Sequence, residues 1–292
     1  MIIRQTFTIK GSAGKPILLD LSFKRGIESA PMVLFVHGFK GFKDWGTHNM
    51  VAEYFVRQGF RFLKFNFSHN GTSPEYPTEF KDPIAFGDNT FSKELNDLDL
   101  VISFAKSDKE FPAPKQLHLL GHSRGGGICI IQCVRDHRIE KLITLASISD
   151  FRSLWKKEEE AEWRKNGIIL SYNVRTRQYT PLKIDLLYDL EQHAEEYNIL
   201  NAAKAIQIPW LIIHGDQDEN VYLCEAQKLK ERCPDSELLI IPYANHVFGG
   251  SHPYLKEDLP LELQLVCEKS VEFLKAGTDY LTPDQSSYHP HE

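Results

Sequence analysis

The chain of 292 residues has few cysteines and no surplus of positive charge. None of its five cysteines forms a CxxC pair, so the sequence favours buried free thiols in a reducing compartment over a disulfide framework or a thiolate metal site. They are Cys129, Cys133, Cys224, Cys233 and Cys267. A formal net charge of −6 argues against nucleic acid or an anionic membrane as a partner.

Long apolar segments are also missing. No apolar run approaches the ~18 residues that a membrane-spanning helix needs. The first residues, MIIRQTFTIKGSAGKP, alternate like a strand and lack the apolar centre of a signal peptide. We therefore expect a cytoplasmic protein. Its composition, 42% hydrophobic and 25% charged, is that of an ordinary globular chain with enough apolar material for a sizeable core.

Short apolar runs are present, and they predict the sheet of an α/β protein. The runs are MVLFV (32–36), FRFLKFNF (60–67), QLHLL (116–120), KLITLA (141–146), WLIIH (210–214) and ELLII (237–241). Runs that are apolar throughout indicate strands buried on both faces. Amphipathic stretches near 47–58, 90–107, 125–136, 222–232 and 258–275 predict helices between them, on both faces of a mostly parallel sheet. Two alternating segments, Ile2–Ile9 and Pro16–Phe23, predict an antiparallel pair before it.

One interval is too long for a simple crossover. More than sixty residues separate LITLA from WLIIH. A charged segment, Leu154–Lys165, comes first, then a possible hairpin of GIILSY and RQYT, then a helix over Asp185–Ala205. We therefore divide the chain into a first core part (1–150), a cap insertion (151–205) and a second core part (206–292) with a polar, frayed tail after Lys275.

A serine at the centre of a glycine-rich turn is the strongest chemical signal. Gly121-His122-Ser123-Arg124-Gly125 follows a predicted strand and opens a predicted helix. Small residues on either side of Ser123 let a strand and a helix approach closely around a strained backbone. The helix start offers N–H groups to developing negative charge. This context predicts a nucleophile.

A serine nucleophile needs a base, and the base needs an acid. His246 follows the last predicted strand and is favoured as the base over His252, which lies further from the strand end. Asp216 and Asp218 both follow the preceding strand in HGDQD. Asp218 is favoured as the acid because it lies further into the loop, and Asp216 stays open as an alternative.

The fourth strand end carries His37-Gly38-Phe39. A tetrahedral oxyanion needs two fixed N–H donors. The backbone N–H groups of Phe39 and Arg124 are predicted to supply them, while His37 is expected to hold the loop. The side chain of Arg124 pairs with a carboxylate or meets an acidic group of the substrate; the sequence leaves both open.

These four strand ends together resemble the α/β-hydrolase family over essentially the whole chain. The resemblance implies an eight-stranded sheet, a cap after the sixth strand, a triad and an oxyanion hole. The residues concerned are Ser123, Asp218 and His246 for the triad, and Phe39 and Arg124 for the oxyanion hole. The family's G-x-x-D spacing is met by Gly215-Asp216-Gln217-Asp218. The loop FNFSHNGTS (65–73) departs from the family pattern, with Asn66 and His69 where charged residues are usual.

The interval 151–205 is similar in place and size to the cap of feruloyl (cinnamoyl) esterases and related acyl hydrolases. Its aromatic residues either line a substrate pocket or form the cap's own small core. The pocket candidates are Trp163, Tyr172 and Tyr179, with Trp155 nearby.

The sequence thus predicts a serine hydrolase that cleaves carboxylic esters of small or medium acyl groups, without metal or organic cofactor. Its expected partner is a small-molecule ester. Thioesterase, amidase or aminopeptidase, and carbon–carbon bond hydrolase activities use the same machinery and stay open, because cap and pocket choose the leaving group. A non-catalytic relative that binds a small ligand in the same pocket is the alternative from another class.

Overall fold

Six strands of the protein lie on the six apolar runs of the sequence. The computed structural model describes residues 1–27, 29–107, 109–173 and 177–277. The strands in these ranges are β1 (Ile2–Lys10), β2 (Pro16–Lys24), β3 (Met32–Val36), β4 (Arg61–Phe65), β5 (Leu117–His122), β6 (Lys141–Leu145), β7 (Ile168–Asn173), β8 (Gln178–Lys183), β9 (Trp210–Gly215) and β10 (Glu237–Ile241). The eight predicted strands are all present, and each differs from its predicted bounds by at most two residues.

Eight of these strands form one mixed sheet in the order β1-β2-β4-β3-β5-β6-β9-β10. β2 runs antiparallel to β1 and β4, and the pairs from β4 to β10 are parallel. The inner parallel strands β3, β4 and β6 are buried on both faces, which explains why they read as continuous apolar runs, whereas the edge strand β10 is partly exposed. The carboxyl ends of β3, β5, β9 and β10 therefore meet at one edge of the sheet, where ligands bind in open α/β sheets.

Helices cover both faces of this sheet. They are α1 (His48–Arg57), α2 (Pro83–Gly87), α3 (Phe91–Ala105), α4 (Arg124–Arg135), α5 (Glu159–Asn166), α6 (Asp185–Gln192), α7 (Ile199–Ala205), α8 (Leu223–Arg232) and α9 (Leu261–Lys275). Neighbouring strand residues point to opposite faces, so the core has two halves. One half packs α1 and α9 against Val33 and Phe35, and the other packs α3, α4 and α8 against Leu34. The predicted fold class, an α/β-hydrolase fold with helices on both faces, is confirmed.

The interval between β6 and β9 differs in detail from its prediction. The predicted hairpin is present as the antiparallel pair β7–β8, with Tyr172 opposite Tyr179. The single helix predicted over 185–205 is wrong, because the chain turns at 193–198 and Asn198 starts a new helix by accepting a hydrogen bond from the Asn201 N–H at 3.0 Å. The charged segment is helical only over α5, and a 3₁₀ turn capped by Asp150 precedes it.

This interval packs on loops at the carboxyl edge of the sheet. Ser92 at the start of α3 donates its N–H to Asp189 of α6 at 2.9 Å, and Lys183 of β8 pairs with Asp88. Lys40, in the loop after β3, donates to the Tyr172 carbonyl at 2.7 Å. That 151–205 acts as a cap stays a prediction.

The cysteines follow their expected burial with one exception. Four cysteines are buried as free thiols, but Cys224 is exposed because it lies on the outer side of α8 near its start, so its predicted burial is wrong. The polar tail lies outside the described residues beyond residue 277. Among the helices described, none combines the length and apolarity that a membrane span requires.

Candidate active site

Ser123 sits in a strained turn between β5 and α4. Its backbone adopts φ 57° and ψ −123°, which a residue with a Cβ rarely populates. The turn is fixed by the Ser123 N–H, which donates to the Leu145 carbonyl of β6 at 2.9 Å. Ser123 is 8% exposed, so only a small part of the residue is open to solvent.

The glycines of this turn are required by close packing. A Cβ on Gly121 would lie 2.6 Å from the Gly125 carbonyl oxygen and 2.8 Å from Cys129 Sγ. A Cβ on Gly125 would overlap the carbonyl oxygens of Val36 and His37. Since these are backbone atoms of the central strand β3 and the loop after it, neither can move without displacing the sheet.

Gly125→Ala is therefore expected to lower the free energy of unfolding by about 3 kcal/mol or more, at the upper end of what overpacking costs. The matched control is Gly127→Ala in the same helix. Its Cβ would meet the end of the flexible Ile199 side chain at 2.8 Å, and alanine gains helix propensity there. Urea unfolding measures both variants, and equal losses in the two would contradict the packing argument.

His246 links the serine to a carboxylate. It lies in the loop after β10, and Ser123 Oγ lies 3.0 Å from its Nε2. Its Nδ1 lies 2.8 Å from Asp218 Oδ2 and donates to it, so Nε2 is free to accept the serine proton. His252 does not join this line, because its Nδ1 accepts the Gly46 N–H at 2.9 Å.

Asp218 is held as a buried carboxylate. Its Oδ1 accepts the N–H groups of Asn220 and Val221, both at 2.9 Å, and His214 Nε2 lies 3.4 Å from Oδ2. Burial by itself would raise the pKa of Asp218, but the His214 imidazole beside Oδ2 and the hydrogen bond from His246 outweigh it and hold the pKa well below its ordinary value. Asp216 instead is exposed and accepts the Tyr243 N–H at 2.6 Å, which closes the turn after β10.

The loop after β3 lies against the serine. A Cβ on Gly38 would come within 3.0 Å of the Ser123 Cβ. Among the described residues, neither the Phe39 N–H nor the Arg124 N–H donates to a protein acceptor. This is compatible with the predicted role of both N–H groups as oxyanion donors. His37 is buried, donates from Nδ1 to the Gly38 carbonyl at 2.9 Å, and has its pKa lowered to about 3 by burial, so it is a neutral loop-holding residue.

The Arg124 side chain turns inward rather than toward the site. Its guanidinium is buried and pairs with Glu94 of α3, and its carbon lies 4.7 Å from the centre of the Phe39 ring. Sequence reasoning missed Glu94. The signal was available, because Glu94 lies three residues after Phe91 and four before Leu98, on the buried face of an amphipathic helix.

The aromatic candidates of 151–205 separate into two groups. Trp163 is fully buried, and its ring packs edge-on against Trp155 at 5.3 Å. It belongs to the large core cluster that also includes Leu182 and Leu186, and its side chain offers no surface to a ligand, which argues against its predicted place in a pocket. Tyr172 and Tyr179 are exposed, with rings 5.0 Å apart on the hairpin. Their contact with substrate stays a prediction.

The loop after β4 is hydrogen-bonded to the loop after β3 that carries Phe39. Asn66 Oδ1 accepts the Lys43 N–H at 2.7 Å, which ties this loop to the one that carries Phe39. His69 Nδ1 lies 2.7 Å from Ser68 Oγ, which in turn donates to Asp97 at 2.6 Å.

In the part of the chain that the structure describes, no group of three or more His, Cys, Asp or Glu side chains is placed to hold a metal ion.

Comparisons with known proteins agree with this architecture. A family model described as the alpha/beta hydrolase fold matches residues 31–177. The quorum-quenching protein AidA of Acinetobacter baumannii is 25% identical over 122 residues, which are 42% of this chain and 37% of AidA. The chain thus matches well under half the length of that relative.

Solved structures extend the likeness to nearly the whole chain. Est1E from Butyrivibrio proteoclasticus superposes with a TM-score of 0.65 at 20% identity, covering 92% of this chain and 97% of Est1E. Est1E has also been solved with ferulic acid bound. An esterase from Pyrococcus furiosus gives a TM-score of 0.63 at 18% identity, over 94% of this chain and 91% of that one. At such identities the likeness is one of fold.

Proposed function

The chain belongs to the α/β-hydrolase family, and on that basis we propose that it is a serine hydrolase that cleaves carboxylic esters of small or medium acyl groups. The observation that carries the proposal is the hydrogen-bonded line from Ser123 Oγ through His246 to Asp218, at 3.0 and 2.8 Å. Each member comes from a different strand end, so a merely structural role does not explain why they converge.

The reaction follows from this geometry. Ser123 Oγ attacks the ester carbonyl carbon while its proton passes to His246 Nε2. The carbonyl oxygen becomes an oxyanion, which accepts hydrogen bonds from the Phe39 N–H in the loop after β3 and from the Arg124 N–H at the start of α4. The bond to the alcohol oxygen then breaks, and His246 returns the proton to that oxygen. Water, deprotonated by His246, attacks the acyl-enzyme in the same way and restores the serine hydroxyl.

Substrate choice is assigned to the segment 151–205 acting as a cap. Its hairpin is tied to the residue after Phe39, since Lys40 Nζ donates to Ser171 Oγ at 2.9 Å and to the Tyr172 carbonyl. The rings of Tyr172 and Tyr179 lie exposed on this hairpin, and their contact with the acyl group of the substrate is part of the proposal. The likeness to Est1E makes an aromatic acyl group the first candidate to try.

A fluorophosphonate probe tests the mechanism, and an ester series tests the substrate. We expect one stoichiometric label, mapped to the peptide that contains Ser123, and turnover of p-nitrophenyl esters that is highest between acetate and octanoate and lower for decanoate. Methyl ferulate tests the aromatic acyl group. A butyryl thioester and butyryl p-nitroanilide, run beside p-nitrophenyl butyrate, separate thioesterase and amidase activity. If the protein takes no label and turns over none of these substrates, the result would favour a non-catalytic ligand-binding protein.

A further inference from the structure

We propose that Glu94 is a positioning residue for the oxyanion hole: it holds the Arg124 guanidinium against the ring of Phe39, so that both N–H donors keep a fixed separation. This inference rests on the proposed function, because it assigns Phe39 and Arg124 to oxyanion binding. It concerns a residue of α3 that does not touch the reacting atoms.

Arg124 is connected to both halves of the hole. Its backbone N–H, at the first position of α4, is one donor. Its guanidinium carbon lies 4.7 Å from the centre of the Phe39 ring, whose residue carries the other donor. This distance is typical of a cation–π contact. The Phe39 ring also stacks on Phe86 at 5.7 Å with an interplanar angle of 27°, and Lys40 Nζ lies 5.1 Å from its centre.

Glu94 fixes the direction of the guanidinium. Its side chain is fully buried, and Oε1 accepts hydrogen bonds from Arg124 Nη2 and from Asn89 Nδ2, the latter at 2.7 Å. The Arg124 side chain is 2% exposed, so no solvent competes for this charge. The pair therefore connects α3 to α4 and, through the guanidinium plane, to the loop after β3.

The bonding pattern favours a positioning role over simple stabilisation. A guanidinium and a carboxylate usually pair through two parallel hydrogen bonds. Here Glu94 Oε2 and Arg124 Nε are buried and have no hydrogen-bond partner among the described residues. Desolvating an ion pair is costly, and full hydrogen bonding is what offsets that cost. The pair therefore forgoes the second hydrogen bond of a bidentate arrangement, while the guanidinium carbon lies 4.7 Å from the centre of the Phe39 ring.

Glu94→Gln tests this role, with trifluoromethyl ketone binding as the decisive measurement. Such ketones form a tetrahedral oxyanion with the serine, whereas the free carboxylate product does not. We expect kcat for p-nitrophenyl butyrate to fall about 10- to 100-fold, somewhat less than for loss of a whole oxyanion donor, with KM changed less than about 3-fold. The ketone should lose affinity by the same factor as kcat, and butyrate should not.

Two further variants separate positioning from stability. Phe39→Leu keeps the backbone N–H and removes the ring, so it should reproduce the loss, and the double variant should lose little more than Glu94→Gln alone. Arg61→Met is the matched control. Arg61 is a buried arginine at the opposite end of the sheet, where it donates to the Ala30 and Pro112 carbonyls at 3.1 and 2.7 Å, so its loss should lower Tm and leave kcat unchanged.

The outcomes are distinct. If folded Glu94→Gln keeps kcat and ketone affinity within about twofold, the pair is structural and the inference is overturned. If Glu94→Gln does not fold, Phe39→Leu decides by the same two measurements. If the wild-type protein takes no fluorophosphonate label at Ser123, the proposed function fails first and this inference fails with it.

Discussion

Ser123→Ala is expected to lower kcat for p-nitrophenyl butyrate by about 10⁴- to 10⁶-fold. The variant loses the hydroxyl that lies 3.0 Å from His246 Nε2 and that would be deprotonated to attack the carbonyl carbon. The N–H donors of Phe39 and Arg124 stay in place, so the variant should still bind butyrate and retain a small rate above that of water. Stopped assays at high enzyme concentration measure the loss of kcat, and fluorophosphonate labelling measures the loss of the covalent label.

The matched control for this result is Ser147→Ala. Ser147 is also buried, follows the neighbouring strand β6, and donates from Oγ to the Ile148 carbonyl at 3.0 Å rather than to a histidine. The Ser147→Ala variant should still be labelled at Ser123, and its kcat should stay within a few fold of the wild-type value. Activity that persists in Ser123→Ala, with a thermal unfolding curve like that of the wild-type protein, would falsify the assignment of the nucleophile.

The sheet could be predicted from the sequence because burial on both faces leaves a local trace. MVLFV, buried at every position, coincides with β3 residue for residue, and ELLII coincides with β10 although that edge strand is partly exposed. The same periodic logic located the strand ends, and in an open parallel sheet those ends converge. That is why Ser123, His246 and Asp218, which lie far apart in sequence, could be grouped before any distance was known.

The remaining features depend on contacts that no local pattern encodes. Whether Arg124 meets a carboxylate depends on how α3 packs on α4, and Glu94 is thirty residues away. The turn at 193–198 exists because Tyr197 is buried and its hydroxyl lies 2.7 Å from Ser92 Oγ, a long-range contact that overrides helix propensity. Trp163 looks the same in sequence whether it faces a ligand or a core.

The choice between Asp216 and Asp218 lies between what a local sequence pattern can predict and what only long-range contacts decide. Spacing in HGDQD favours the second carboxylate but cannot say which one faces the imidazole. In the structure the two aspartates have different hydrogen-bond partners. Asp216 closes a turn with the Tyr243 N–H, and Asp218 receives the His246 Nδ1–H. The same substitution at both positions is therefore a controlled comparison.

Asp218→Asn is expected to lower kcat by about 10³- to 10⁴-fold, because an asparagine amide can donate to Nδ1 and leave the proton on Nε2, where it cannot accept from serine. Asp216→Asn should keep kcat within a few fold, since an amide oxygen can still accept the Tyr243 N–H. Steady-state kinetics on p-nitrophenyl butyrate measures both. Loss of turnover in Asp216→Asn alone would reverse the assignment.

The lowered pKa of Asp218 adds a stability signature that activity alone does not give. A carboxyl with a lower pKa in the folded than in the unfolded chain stabilises the fold above its unfolded pKa of about 4, and this stabilisation is lost as the pH falls toward the folded pKa. The free energy of unfolding, measured in urea, should therefore favour the wild-type protein over Asp218→Asn at pH 7. The difference should narrow below about pH 4. A difference that stays constant with pH would mean that Asp218 ionises as readily in the unfolded chain as beside His246.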